Sequence, residues 1–389
     1  MFPTQFTSAS FTWEQHKLGD LAESSIGGGT PKTSAKEYWG GTLPWIQSSD
    51  LIEDKLFNVD VKKHITNLGI KNSAAKLISQ NSIAVVTRVG VGKLAFMPFE
   101  YATSQDFLSL SGIKGNPQFV TYTFQIAIKR LAHQLQGTSI KGITKSELLK
   151  VPIKVPLKKA EQDYISKLFF SLENSINLHE RKIIQLKQMQ KCIQQIITTS
   201  SGKNWEFIKL KNILKERKLL STKSKNYPLV SFTVNDGVTP KTKRYEREQL
   251  VRGNVENKKY KVTKLNDIVY NPANLKFGAI GRNKFGNAVF SPIYITFEAH
   301  DIDIIFLETL LTDPNFIKKS LKYQQGTVYE RQSVSPKDLL NMKIIYPPYD
   351  LQLKFGHLFG SIQKKIDLEQ HKLDQLIKFK NFLLQNMFI

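Results

Sequence analysis

The chain has 389 residues and carries 56 Lys and Arg against 33 Asp and Glu, a net charge of +23. Its hydrophobic content of 41% supports packed cores and excludes a disordered chain, and its length suits two or three domains. One cysteine, Cys192, and seven scattered histidines exclude a disulfide framework and a cysteine metal site.

So basic a balance favours a polyanion, most often nucleic acid, over a merely solvated surface. No apolar run reaches the ~20 residues of a membrane span. The start, MFPTQFTSASFTWEQ, lacks the basic and apolar regions of a signal peptide, so a cytoplasmic location is expected.

In chain order, the first feature is the segment Gly27 to Asp50, GGGTPKTSAKEYWGGTLPWIQSSD. Glycines and Pro31 bend it tightly. Tyr38, Trp39 and Trp45 either brace that bend or stack on bases, and bracing is the stronger reading. The β-branched run Ser82 to Val89 predicts a strand, and Phe119 to Leu135 a helix. Residues 157–200 then repeat apolar positions every seven: Ile165, Leu172, Ile176, Ile183, Leu186 and Ile193, broken only at His179 and Gln190. The polar stretch Ser200 to Asn204 reads as a hinge. Strands are expected at Asp267 to Tyr270, Tyr294 to Phe297 and Lys343 to Tyr346, with a helix at Asp301 to Leu311. A second heptad helix follows over 349–389, carrying Ile362, Ile366, Leu373, Leu376 and Leu383, with breaks at Glu369 and Lys380.

The chain is thus written twice. Trp13-Glu14 with Lys17-Leu18 returns as Trp205-Glu206 with Lys209-Leu210, Gln136-Gly137-Thr138 as Gln325-Gly326-Thr327, and Pro156 as Pro347. The shift stays near 190 residues, and the polar breaks of the two helices fall at matching positions. The expected class is α+β, with two globular α/β domains in pseudo-twofold repeat separated by two long antiparallel coiled-coil helices. The expected bounds are 1–156 and 201–348 for the domains, 157–200 and 349–389 for the helices. At 1.5 Å per residue such helices reach about 55 Å, long enough to act as a ruler.

No catalyst stands out. Gly137 to Thr144 has the glycine spacing of a phosphate loop, but Ile143 replaces its lysine. Gly90-Val-Gly92 follows a strand yet opens no helix, so it reads as a strand turn. Asn271-Pro272-Ala273-Asn274 lacks the second proline and the aromatic of an amino-methyltransferase motif, and Tyr346-Pro347-Pro348-Tyr349 lacks the leading Asn or Asp. No Ser-His-Asp or Cys-His arrangement is apparent.

Leu18-Gly19-Asp20-Leu21, Gly28-Gly29-Thr30-Pro31, Glu37-Tyr38-Trp39, Pro44-Trp45-Ile46 and Ser49-Asp50-Leu51 together resemble a target-recognition domain of type I restriction–modification specificity subunits. So does Thr87 to Lys93 with Ala102 to Phe107. Tyr227 to Ser231, Asn235 to Val238, Asp267 to Pro272, Gly278 to Gly281 and Ser291 to Tyr294 resemble a second such domain, of another subtype. The resemblance spans essentially the whole chain.

It implies a non-catalytic subunit in which each domain reads half of a split, asymmetric target in double-stranded DNA. The helices would set the spacer and dock two methyltransferase subunits, with two restriction subunits in the full complex. S-adenosylmethionine, ATP and Mg would belong to those partners, with no cofactor in this chain. The expected DNA contacts are Gly29, Thr30, Lys32, Lys36, Gln47, Ser48, Ser49, Arg88 and Lys93 in the first domain, and Lys241, Lys243, Arg244, Lys276 and Arg282 in the second. Lys and Arg suit guanine edges and phosphates, and Gln suits adenine. The other reading of the residues is a nucleic-acid-binding scaffold with a helical assembly arm.

Overall fold

The computed structural model describes residues 12–135, 142–199, 205–234, 236–241, 258–324 and 333–388. The expected hinge Ser200 to Asn204 and both Gln-Gly-Thr stretches lie outside the described residues. The chain divides into two compact units: residues 1–178 with 373–389, and residues 179–372.

In the first unit Trp13–Lys17 pairs antiparallel with Pro152–Pro156. A four-stranded antiparallel sheet runs in the order Ala22–Gly27, Phe107–Ile113, Ser82–Val86, Leu94–Met97. Ser82–Val86 is buried throughout, which fits its apolar run from Ile83 to Val86. The helix Pro117–Leu135 lays Phe119, Tyr122, Phe124 and Ile128 against Ile83, Val85, Leu108 and Leu110. A three-stranded sheet holds Trp39–Ile46 between Lys63–Ile65, antiparallel, and Ala102–Thr103, parallel.

The second unit repeats this plan. Glu206–Lys209 pairs with Lys343–Tyr346. Leu214–Glu216, Ile295–Ala299, Ile268–Tyr270 and Ile280–Arg282 form a four-stranded sheet in the same order as in the first unit. The second sheet differs, with five strands in the order Leu220–Ser221, Tyr260–Thr263, Ala288–Phe290, Leu229–Thr233, Gly237–Pro240. The expected helix at 301–311 spans Ile304–Leu311, begun by the Asp303 side chain, which accepts from Phe306 N at 2.8 Å.

The long helices are Lys159–Thr199 and Tyr349–Met387, and each contributes to both units. In the first unit Ile165 and Phe169 pack with Phe388 in the core. Residues in and beside the seams pair antiparallel in each unit: Glu173 with Lys380 in the first, His179 with Glu369 and Gln190 with Gln363 in the second. Ile165, Ile176, Ile183, Ile362, Ile366 and Leu373 are buried. Leu172, Leu186, Ile193, Leu376 and Leu383 are half-buried. Grouped above as spacer and docking residues, these eleven lie on the inward faces of the helices. The exposed apolar residues of the helices are a different set, including Leu178, Ile184, Leu368 and Phe382. Among the described residues, no helix is long and apolar enough to cross a membrane.

Candidate nucleic-acid interface

The Gly-Gly-Thr-Pro bend of the first unit is fixed from three sides. Gly29 N donates to Thr103 O at 2.8 Å, and Trp45 Nε1 donates to Gly29 O at 3.1 Å. Trp39 Nε1 donates to Lys32 O at 3.3 Å. The two indoles meet edge to face, 5.0 Å between centroids. Trp45 is 3% exposed, so it braces the bend and has no face to offer a base. Thr30 Oγ1 lies 2.6 Å from Gln105 Oε1 and ties the bend to the turn after Ala102–Thr103.

Both glycines are dictated by close approach. A Cβ on Gly28 would stand 2.1 Å from Ser104 O, and one on Gly29 2.0 Å from Ala74 O. Backbone must move to admit either. Gly29→Ala is therefore expected to cost about 1–3 kcal/mol, read as a lower urea midpoint; an unchanged midpoint would show that the bend is pliable.

Beside this bend the strand Trp39–Ile46 ends in the 3-10 turn Ser48–Asp50. Buried Asp50 accepts from Gln47 N at 3.0 Å and sets that turn. Two lysines converge on it. Lys63 Nζ lies 3.4 Å from Gln47 Oε1 and within 6 Å of both indole centroids, at 5.9 and 5.6 Å. Lys93 Nζ lies 3.5 Å from Ser48 O. Lys93 sits on the turn joining Ser82–Val86 to Leu94–Met97, where Gly90 and Gly92 take φ of +88° and +101°. The Gly-x-Gly here makes a strand turn, not a cofactor fingerprint. Arg88 opens the same turn and is exposed.

Of the sequence-derived residues, Gly29, Thr30, Gln47, Ser48 and Lys93 are thus held in one neighbourhood. Gly29 is buried and lets the bend pack closely on Ala74. Lys32, Lys36 and Ser49 are exposed on the adjoining loops. Lys63 was missed. It occupies a three-residue strand, Lys63–Ile65, too short to display which face it presents.

The second unit disperses its residues. Lys243 and Arg244 lie outside the described residues. Lys241 follows Gly237–Pro240, its N donating to Leu229 O at 3.1 Å. Lys276 stands on the 3-10 turn Leu275–Phe277, its Nζ 5.1 Å from the Phe277 ring centroid. Arg282 is engaged within the fold: its Nε donates to Glu308 at 3.0 Å and its Nη1 to Asn266 at 3.2 Å. The sequence pattern also missed an exposed apolar tip at Val234 and Phe277, the latter 67% exposed. Asn271, of the partial Asn-Pro motif, is buried; its Oδ1 accepts from Ala273 N at 3.1 Å, and the side chain only shapes a turn.

Fold and site together define a duplicated α+β protein whose first unit presents basic and polar loops on braced turns. Residues 11–188 match the family described as the type I restriction modification DNA specificity domain. The chain is 23% identical to the type I restriction enzyme MjaIX specificity subunit of Methanocaldococcus jannaschii, over 96% of this chain and 92% of that protein. It is 29% identical to the EcoR124I/EcoR124II specificity subunit of Escherichia coli, over 48% of this chain and 47% of that one. The solved S subunit of the type I restriction–modification system of M. genitalium shares its fold, with a TM-score of 0.66 and 15% identity over 98% of each chain. These comparisons support a DNA sequence-specificity subunit of a type I restriction–modification system.

Proposed function

We propose that each unit reads one half of a split, asymmetric duplex target, while the long helices set the spacer and dock two methyltransferase subunits. The observation that carries this is the contrast between the two units' sheets. The four-stranded sheets share one strand order, whereas the second sheets have three strands in one unit and five in the other. A common scaffold with dissimilar reading surfaces suits two different half-sites.

In the first unit Lys32, Lys36, Lys63, Arg88 and Lys93 hold phosphates or guanine edges, and Gln47 with Ser48 and Ser49 reads bases. In the second unit Lys241 and Lys276 contact DNA. The outward apolar residues Leu178, Ile184 and Leu368 receive the methyltransferase subunits. S-adenosylmethionine, ATP and Mg act in those subunits and in two restriction subunits, in the cytoplasm, and this chain transfers no methyl group.

One experiment has two arms. The purified chain with labelled S-adenosylmethionine and unmodified host DNA is expected to label nothing. With its methyltransferase partner it is expected to label a motif of two short sequences separated by unread bases. Labelling by the chain alone, or a continuous motif, would overturn the proposal.

A further inference from the structure

Four polar residues interrupt the apolar helix seams, His179 and Gln190 on the first long helix and Glu369 and Lys380 on the second, and Glu173 and Gln363 stand beside them. The repeat makes Glu173 equivalent to Gln363, His179 to Glu369 and Gln190 to Lys380. Equivalent positions thus carry unlike residues. In the second unit His179 Nδ1 lies 2.5 Å from Glu369 Oε2, Lys182 Nζ 2.8 Å from its Oε1, and Gln190 Nε2 donates to Gln363 Oε1 at 3.3 Å. In the first unit Lys380 Nζ lies 2.5 Å from Glu173 Oε1. Glu369 is only 4% exposed and Lys380 8%.

Consider each helix paired in the same antiparallel register with a copy of itself from another chain. Two first helices would set His179 against His179 and Glu173 against Gln190. Two second helices would set Glu369 against Glu369 in a buried position, and Gln363 against Lys380. The Glu173–Lys380 and His179–Glu369 contacts are both lost; in the pair of second helices Lys372, the equivalent of Lys182, still faces Glu369, but two carboxylates now share one buried site, which disfavours both charges. The apolar stripes alone do not discriminate, because they recur in both helices.

We propose that these polar seam residues select the pairing: a first helix accepts a second helix and rejects another first helix. A single polar seam position is known to set coiled-coil register and partner at some cost in stability. Here the device answers a hazard of the duplication itself, since two near-equivalent helices on one chain could otherwise pair like with like between copies and link chains together.

The test uses full-length chains. H179E and E369H, each alone, are expected to lower the melting temperature by about 5 °C or more. The double variant H179E/E369H is expected to recover at least half of that loss. Further, an H179E copy and an E369H copy, differently tagged and co-expressed, are expected to co-purify as a 1:1 pair. Exchange of helices sets the new glutamate of one copy against the new histidine of the other and restores the native pair as well. Two H179E copies are expected to stay separate. The proposal is overturned if the double variant melts as low as the less stable single variant, or if the mixed copies co-purify no more than two wild-type copies do. No step involves DNA, so a negative result leaves the half-site reading standing.

Discussion

Replacing Trp205 to Tyr346 with the corresponding region of another specificity subunit is expected to change one half of the methylated motif completely and to leave the other half as it was. The cut points are physically favourable. Glu206–Lys209 and Lys343–Tyr346 are partners in one antiparallel ladder, so both strands of that ladder leave together and none is left unpaired. Both larger sheets of the second unit lie wholly between them. The Gly28–Gly29 bend, Gln47, Lys63 and Lys93 are untouched. Sequencing the methylated positions in a strain carrying the hybrid measures the outcome. Change in both halves would mean that the units do not read independently.

The second large effect is on stability. Arg217 and Asp267 are 8% and 3% exposed at their side chains, and they pair through two contacts, Nε to Oδ2 at 2.7 Å and Nη2 to Oδ1 at 2.9 Å. The hydrogen bonds that Arg217 donates to Asp267 hold its guanidinium above its already high basicity, with burial opposing. Glu298 adds a third contact at 3.3 Å. The pair joins the chain just after Leu214–Glu216 to the turn that leads into Ile268–Tyr270. In Arg217→Ala, Asp267 keeps Lys264 N at 2.8 Å but loses its cation in a buried place. A loss of roughly 3–5 kcal/mol is expected, whereas replacing both partners by apolar residues of similar volume is expected to cost much less. Urea unfolding of the single and double variants decides; a loss under about 1 kcal/mol for Arg217→Ala would mean that water replaces the arginine.

The long helices were legible because a seven-residue apolar repeat needs no knowledge of distant residues, and its interruptions at His179 and Glu369 proved to be partners. Strands such as Ser82–Val86 and Lys343–Tyr346 were legible for the same reason: their residue types carry the signal locally. The site was less so. Arg282 looks in sequence like any basic residue on a strand, and only the fold brings it to Glu308. Lys63 gains its place from Trp39, Trp45 and Gln47, all at least 16 positions earlier in the chain. The five-stranded sheet of the second unit rests on strands of two to five residues with a parallel pair between Leu229–Thr233 and Ala288–Phe290, and such short pieces have no periodicity to read.

The first unit is assembled from two separated stretches of chain, and this sets an order of events on the ribosome. Phe388 stacks on Phe119 at 5.4 Å and meets Trp13 at 6.1 Å and Phe169 at 5.7 Å, inside a core whose other buried members all precede residue 179 and against which Leu383, Leu384 and Met387 also pack. Those aromatics emerge early, yet the residues that cover them are translated only after the whole second unit. At about 5–20 residues per second, the interval is roughly 10–40 s. Throughout it the nascent chain displays an unfinished aromatic cluster, while the second unit, whose core draws on residues 193–359, has all its parts and can close first. The unit synthesised first is therefore the one that matures last, and it is the part of the newborn chain on which holding chaperones have the longest time to act.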